Sequence, residues 1–551
     1  MLRRNSVIVL TFVLLASSLV SHRVRAEMSG GSVSGESGSA TQTQAVLRYL
    51  DIGTAHSCGL LDNNTIKCWG LGSSGQLGYG ATSTLGDGAG EMGDALATID
   101  LGTGRTAKQI ATGSSHSCAV LDNNTVKCWG LGTNGRLGYG TTTSLGRSSG
   151  QMGDALATID LGTGRTAVAI SAGSTHTCAI LDNATAKCWG GGAFGQLGVG
   201  SVDSIGDGSG EMGNALAAVS LGTGRTVKAL SSGDAHTCAI LDNNSVKCWG
   251  AGTDGRLGYG TQTSLGDSSG EMGDSLSEVL LGTGRTANSI SLGTAHTCVI
   301  LDNSEVKCWG YGAVGAIGSG STASRGDNSG EMGDALPAVD LGSGRTATMI
   351  AVGSNHSCAL LDNATVKCWG RSNSGQLGYN DTVTRGDGAG EMGNALPAIS
   401  FAAGRTATAI ATGANHTCAL LDNAQVVCWG DNAYGQLGQG NMDNIGDGVG
   451  ATVATTPTID MGTGRSVVAI SAGDLHTCAL LDNATVKCWG MSSNGRLGTG
   501  DTNDLGDDPG EMGDALAPID LGNGLGAVAV TTGGEHTCVL LTNTYLKCFG
   551  N

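Results

Sequence analysis

HTCALLDNATVKCWG, residues 476–490, returns along this chain at a fixed step of 60 residues. His56, His116, His176, His236, His296, His356, His416, His476 and His536 each open one copy, so nine copies run from 56 to 550. A unit of this length cannot bury its own apolar face and must stack on its neighbours. The period therefore overrides the several independent domains that 551 residues would otherwise imply.

Inside each copy two cysteines stand ten positions apart: Cys58/Cys68, Cys118/Cys128, Cys178/Cys188, Cys238/Cys248, Cys298/Cys308, Cys358/Cys368, Cys418/Cys428, Cys478/Cys488 and Cys538/Cys548. The residues between them read as an apolar arm (CALL), a turn (D-N-A or D-N-N) and a β-branched arm (TVKC). A three-residue turn centred on Asn sets the two cysteines opposite each other, at a separation a disulfide accepts. The competing reading is zinc on H-x-C plus the second Cys. Zinc clips are usually shorter, and a secreted chain meets an oxidising environment, so the spacing favours nine disulfides.

The rest of the unit is read in order from 130. GLGTNGRLGYG is a Gly-rich turn region, followed by a loop whose commonest form is GDGAGEMGDAL (86–96). ATIDLG (157–162) and AVAISAG (167–173) alternate apolar and polar residues and read as short strands, and the phrase supplies two more. Four short strands per 60 residues predict an all-β fold: a β-propeller of nine repeats, each a four-stranded antiparallel blade with one disulfide inside its hairpin. No window holds a 3.6-residue period, which opposes a helical solenoid.

The phrase H-T-C-A-L-L-D-N-x-T-V-K-C-W-G followed by G-x-x-G-Q-L-G resembles the repeat of the regulator of chromosome condensation family. The resemblance recurs nine times over most of the chain and implies a β-propeller, in that family most often of seven blades. It leaves function open, because the family spans nuclear exchange factors, a plant ultraviolet-B photoreceptor and secreted bacterial inhibitors of β-lactamase. Nine units in one ring is the preferred expectation. An open twisted array, or a seven-bladed ring with overhang, is the alternative.

The N-terminus reads as a secretory signal over 1–26: Arg3 and Arg4 precede VIVLTFVLLASSLV (7–20), and Ala26 offers a small residue for cleavage. A flexible Gly/Ser-rich lead-in over 27–44 follows, and the propeller occupies 45–551. The expected location is therefore secreted, extracellular or at the cell surface, with no membrane contact after signal removal. A net charge of −18 opposes nucleic acid as a partner.

Candidate chemistry inside the repeat reads mostly as scaffold. Identical spacing sets each His at the start of one strand in every blade, where it is expected to bond the backbone of a neighbouring loop. Trp69, Trp129, Trp189, Trp249, Trp309, Trp369, Trp429 and Trp489 read as blade core, with Phe549 in the last copy. Arg105, Arg165, Arg225, Arg285, Arg345, Arg405 and Arg465 are replaced at both ends by Ala45 and Leu525. That pattern predicts bridges from each blade to an acidic residue on the next. Metal candidates are confined to calcium on the acidic loop, through Asp87, Glu91 and Asp94, Asp267, Glu271 and Asp274, or Asp327, Glu331 and Asp334. Arg147, Asn214, Asn394 and ATVATTPT (451–458) break that pattern, so the expected role of the loop is turn capping by Asp and Glu, with no metal site, and calcium is the alternative.

Sequons N-x-[ST] at Asn63, Asn123, Asn183, Asn243, Asn363 and Asn483 occupy the hairpin turns, giving a glycoprotein if the source is eukaryotic. No catalytic or cofactor-binding residue stands outside the repeat. The expected function is a secreted, non-enzymatic scaffold that binds a protein or glycan partner through its loops. A structural surface or matrix protein, a guanine-nucleotide exchange factor by resemblance, and a glycan-active enzyme are the alternatives.

Overall fold

The computed structural model describes residues 47–52, 56–61, 63–85, 96–292, 295–500, 502–521, 526–532, 536–541 and 546–550, with two short extended segments at 16–17 and 24–25. The signal and lead-in readings lie outside these residues, apart from those two segments. No helix among the described residues is long and apolar enough to cross a membrane.

Nine sheets follow one another along the chain, each built of three consecutive antiparallel strands, and Val24–Arg25 adds antiparallel to the first of them and Ala16–Ser17 parallel to the sixth. In the second repeat these are Ala107–Thr112, His116–Leu121 and Val126–Gly130. The phrase forms the second and third strands. Leu121 N–H donates to Thr125 O, and Asn124 N–H donates to Leu121 O, closing the three-residue turn expected from D-N-x. The residue after the turn Asn takes a left-handed conformation, with φ 65° at Asn124 and 58° at Ala184.

Pairing sets Cys118 opposite Cys128 and repeats in every blade. Eight of the nine expected disulfides are present: Cys58–Cys68, Cys118–Cys128, Cys178–Cys188, Cys238–Cys248, Cys298–Cys308, Cys358–Cys368, Cys418–Cys428 and Cys478–Cys488. Their Cα separations are 4.0–4.2 Å. In the ninth blade the backbone register again opposes Cys538 and Cys548, while a bond between them lies outside the described residues.

The expected fourth strand is reduced to a single bridge. Gly130 and Leu145 exchange both backbone bonds, and the same one-residue bridge recurs down the chain. ATIDLG (157–162) is not a strand: Ile159 N–H donates to Val126 O, and the segment otherwise runs irregularly. Its alternation reports a ribbon packed on one side, since Ile159 and Leu161 are buried between exposed residues. The connection between blades therefore runs from 131 to 166, longer than the sequence implied.

The core lies between blades rather than within them. One cluster joins Cys118, Val120, Val126, Cys128 and Leu137 of the second repeat to Ile170, Ala179, Leu181 and Trp189 of the third. Each sheet thus buries both faces, one against each neighbour, which accounts for third strands buried along their whole length. The third strand of the last repeat lies beside that of the first, so the two ends of the nine-bladed array meet.

Candidate functional site

Each repeat phrase turns out to be a joint between two blades. His116 Nε2 lies 2.8 Å from Thr177 Oγ1 on the next blade, and Thr177 Oγ1 donates to Arg136 O at 3.1 Å. Trp189 Nε1 donates to that same carbonyl at 3.2 Å. The hydroxyl has one hydrogen and gives it to the carbonyl, so His116 Nε2 must be the donor to Thr177. The His–hydroxyl pair recurs at His56–Ser117, His176–Thr237, His236–Thr297, His356–Thr417, His416–Thr477 and His476–Thr537. The expected partner was a loop backbone; the partner found is a side-chain hydroxyl, because the T or S of H-[TS]-C faces back across the blade interface.

The histidines are spent in this role. His116, His176, His236, His356 and His416 are buried, and burial lowers their pKa, to about 4 for His176 and His356 and about 3 for His236 and His416. The other ring nitrogen packs on glycine. A Cβ on Gly113 would fall 2.5 Å from His116 Nδ1, so no larger residue fits there. Gly138 does the same for tryptophan, since its Cβ would lie 2.8 Å from Trp189 Nε1.

The sulfurs that a zinc site on this phrase would need are taken up in disulfides. A metal binds the thiolate, and the second cysteines Cys68, Cys128, Cys188, Cys248, Cys308, Cys368, Cys428 and Cys488 are each bonded to the cysteine across the hairpin. No free cysteine occurs among the described residues. Both sulfurs of each pair lie in the packed seam between blades, as Cys118 and Cys128 do, so they belong to the scaffold.

Sequence reading missed the lysine of K-C-W-G. Lys127 Nζ is buried and donates to Leu101 O at 2.9 Å and Gly153 O at 2.8 Å, clasping the connections before and after its blade. Lys187, Lys247, Lys307, Lys367 and Lys487 repeat the bond to the second carbonyl. Burial lowers the lysine pKa, offset at Lys127 by Asp154 and Asp100. Beside the clasp, Asp154 Oδ1 accepts the Thr103 N–H at 2.8 Å. The signal was present: the copy with Val427 in place of lysine also carries the ATVATTPT replacement.

The arginines pair within blades, not between them. Arg105 Nη1 lies 3.2 Å from Asp122 Oδ2, the turn Asp of its own sheet, and the other six repeat this. The reason is the path of the chain: the segment entering the first strand runs beside the turn at the same end, so Thr106 N–H also donates to Asp122 Oδ1 and Asp122 N–H to Thr106 O. Both partners are more than a third exposed, and such a pair contributes little.

The acidic loop caps itself. Glu331 Oε2 accepts N–H from Gly326 and Asn328, and Glu271 Oε2 accepts N–H from Gly266 and Ser268. Asp274 and Asp334 accept from Thr223 and Thr283. Each set is thus divided between two jobs, and no cluster of three or more metal-ligating side chains occurs among the described residues. Asp87, Glu91 and Asp94 lie outside them.

One end of the blades changes from copy to copy at the residue that follows the third strand. The residue after each third strand holds its backbone fixed, donating N–H to the residue before the histidine: Leu131 to Ser115, Tyr311 to Ala295, Arg371 to Asn355, Met491 to Leu475. Its side chain changes at nearly every step, through Leu71, Leu131, Gly191, Ala251, Tyr311, Arg371, Asp431 and Met491. Tyr311 is 38% exposed and Phe194, three residues into the same segment of its own blade, 49%. Burial raises the pKa of Asp431, whose carboxylate accepts from Gln436 Nε2 at 2.9 Å. At the opposite end the turn D-N-x-[TS] itself barely changes, while the exposed first-strand residue beside it varies through Lys108, Val168, Lys228, Asn288, Thr348, Thr408, Val468 and Val528. A six-residue strand separates the two ends by about 20 Å.

The regulator of chromosome condensation (RCC1) repeat matches residues 49–76, 107–136, 167–196, 227–256, 349–376, 407–436 and 467–496, and a second form of it matches 365–420 and 423–480. The chain is 28% identical over 400 residues to the ultraviolet-B receptor UVR8 of Arabidopsis thaliana, covering 72% of this chain and 79% of the receptor. It is 26% identical over 373 residues to human E3 ubiquitin-protein ligase HERC2, covering 67% of this chain but 7% of the ligase. Among solved structures it resembles human WBSCR16 (TM-score 0.45, 16% identity, 74% of this chain and 96% of that one) and Prp20p of Saccharomyces cerevisiae (TM-score 0.42, 17% identity, 79% and 91%). The chain belongs to the regulator of chromosome condensation (RCC1) repeat family.

Proposed function

We propose that this protein is an exported, non-enzymatic scaffold that binds a protein partner through the rim of divergent residues. The observation that carries the reading is the contrast between fixed backbone and changing side chain at Leu71, Leu131, Gly191, Ala251, Tyr311, Arg371, Asp431 and Met491. A rigid frame presenting varied side chains is how binding loops are built. Tyr, Arg and Met are also the residue types enriched where proteins meet. The histidines support a non-enzymatic role, because their equivalent places in the repeat engage them between blades. Export is supported by the basic–apolar N-terminus and by eight disulfides.

The test is capture from the native extracellular medium with two forms of the full chain. One carries Tyr311→Ala with Arg371→Ala; the other carries Asp122→Asn at the opposite end. A partner retained by the Asp122 variant and lost by the rim variant is the expected result. Equal capture by both, or recovery of small metabolites alone, would overturn the reading.

A further inference from the structure

We infer that the asparagines at the hairpin tips are N-glycan acceptors, so that the end opposite the divergent rim is covered by carbohydrate. This rests on the export reading above. Asn63, Asn123, Asn183, Asn243, Asn363 and Asn483 are all exposed, and each is followed two residues on by Thr or Ser. In five of the six the hydroxyl donates to the asparagine Oδ1, at 2.7–2.8 Å, whereas the single hydrogen of the Ser245 hydroxyl is contested between Asn243 Oδ1 at 2.8 Å and Glu278 Oε1 at 2.7 Å. That bond holds the side-chain amide outward and polarises it. For Asn63, Asn123, Asn183, Asn363 and Asn483 the amide Nδ2 meets no acceptor among the described residues.

The turn itself does not require the hydroxyl. Asn303 and Asn423 make the same turn with Glu305 and Gln425 two residues on, and their Oδ1 still accepts the backbone N–H at 3.2 and 3.3 Å. Turn chemistry therefore explains the asparagine but not the Ser or Thr that six copies keep. At Asn355 and Asn415 the corresponding hydroxyls, Ser357 and Thr417, are buried in the blade interface and already bonded to backbone carbonyls.

The transfer joins Nδ2 to the anomeric carbon of a lipid-pyrophosphate-linked oligosaccharide. The carbon–oxygen bond to the pyrophosphate breaks, the lipid pyrophosphate leaves with the electron pair, and Nδ2 loses one proton to a base of the transferase. Asn243, whose Nδ2 donates to Glu278 Oε1 at 3.1 Å, should be the least occupied of the six.

The experiment expresses the full chain, with its own first 26 residues, in a eukaryotic secretory host, and maps asparagines that become aspartate on treatment with peptide-N-glycosidase. Modification at Asn63, Asn123, Asn183, Asn363 and Asn483, with none at Asn303 and Asn423, is expected. Thr125→Val should remove the Asn123 glycan alone, and Glu305→Thr should create one at Asn303. Protein in the medium with bare tips would overturn this inference by itself. Protein kept unmodified inside the cell would overturn the export reading and this inference together.

Discussion

The second and seventh blades solve one packing problem with opposite chemistry. In the second, Lys127 Nζ reaches Leu101 O and Gly153 O, and Asp154 accepts from Thr103. In the seventh, the equivalent residues are Val427, Phe401, Val453, Ala454 and Ala403. Val427 and Val453 are buried in one apolar cluster with Phe401, which packs on Trp429 with ring centroids 6.1 Å apart. Asp100 becomes Ser400 as well, but Ser220 and Leu280 stand at that position beside an intact clasp, so it varies independently of the exchange. The lesson is that the clasp changes as a unit. A buried cation with its carbonyls and a well-packed apolar set are alternative solutions, while a half-changed site is neither.

The largest expected effect comes from breaking the apolar version. Val427→Lys places an ammonium against Val453, with no glycine carbonyl presented to it, and should destabilise by about 3–5 kcal/mol in urea unfolding. Next is a property the two blades share. Burial lowers the pKa of His116 in the second blade and His416 in the seventh, as it does for His176 and His356, which bind a proton only near pH 4 against an ordinary value of 6.5. The unfolded chain therefore binds more protons between those values. Stability should be complete above pH 6.5 and fall as pH drops towards 4, by on the order of 3 kcal/mol per histidine. Moving the apolar set into the second blade should leave this pH profile unchanged, because the His–Thr bonds are separate from the clasp. A profile that follows the clasp would instead assign the loss to Asp154, whose pKa its hydrogen bonds from Thr103 lower.

Lys127→Val alone leaves two buried carbonyls without their donor and should cost about 2 kcal/mol. Exchanging 100–103, 127, 153 and 154 together for their seventh-blade counterparts should recover most of that, read as the urea midpoint. The smallest effect is a control outside the clasp. Ala184 and Ala424 hold φ of 58° and 62°, which glycine adopts without strain. Ala→Gly at either should raise the midpoint, by about 1 kcal/mol or less and equally in both blades.

Much of this was legible in the sequence, for a physical reason. A hairpin is local, so D-N-x between two apolar arms fixes turn, register and cysteine pairing at once; the pairing at Cys118 and Cys128 follows from ten residues. Joints between blades are not local. His116 and Thr177 stand a whole repeat apart, and a strict period gives every residue of the phrase the same signature whether it faces inward or across. The lysine was hidden by its charge, which usually marks a solvated position, until Val427 and Val453 showed that it answers to a buried partner. The alternation at 157–162 misled because a chain packed on one side alternates without pairing. The acidic loops read as capping loops because Gly-rich turns offer free backbone N–H groups, and Glu331 accepts two of them.

The central claim is that the repeated phrase binds blade to blade and leaves recognition to the divergent rim. A double-mutant cycle between His176 and Thr237, 2.9 Å apart across one interface, tests it most directly. With His176→Phe, Thr237→Val and the pair measured by urea unfolding, the account predicts a coupling of at least about 1 kcal/mol. Additive losses, with no coupling, would contradict it.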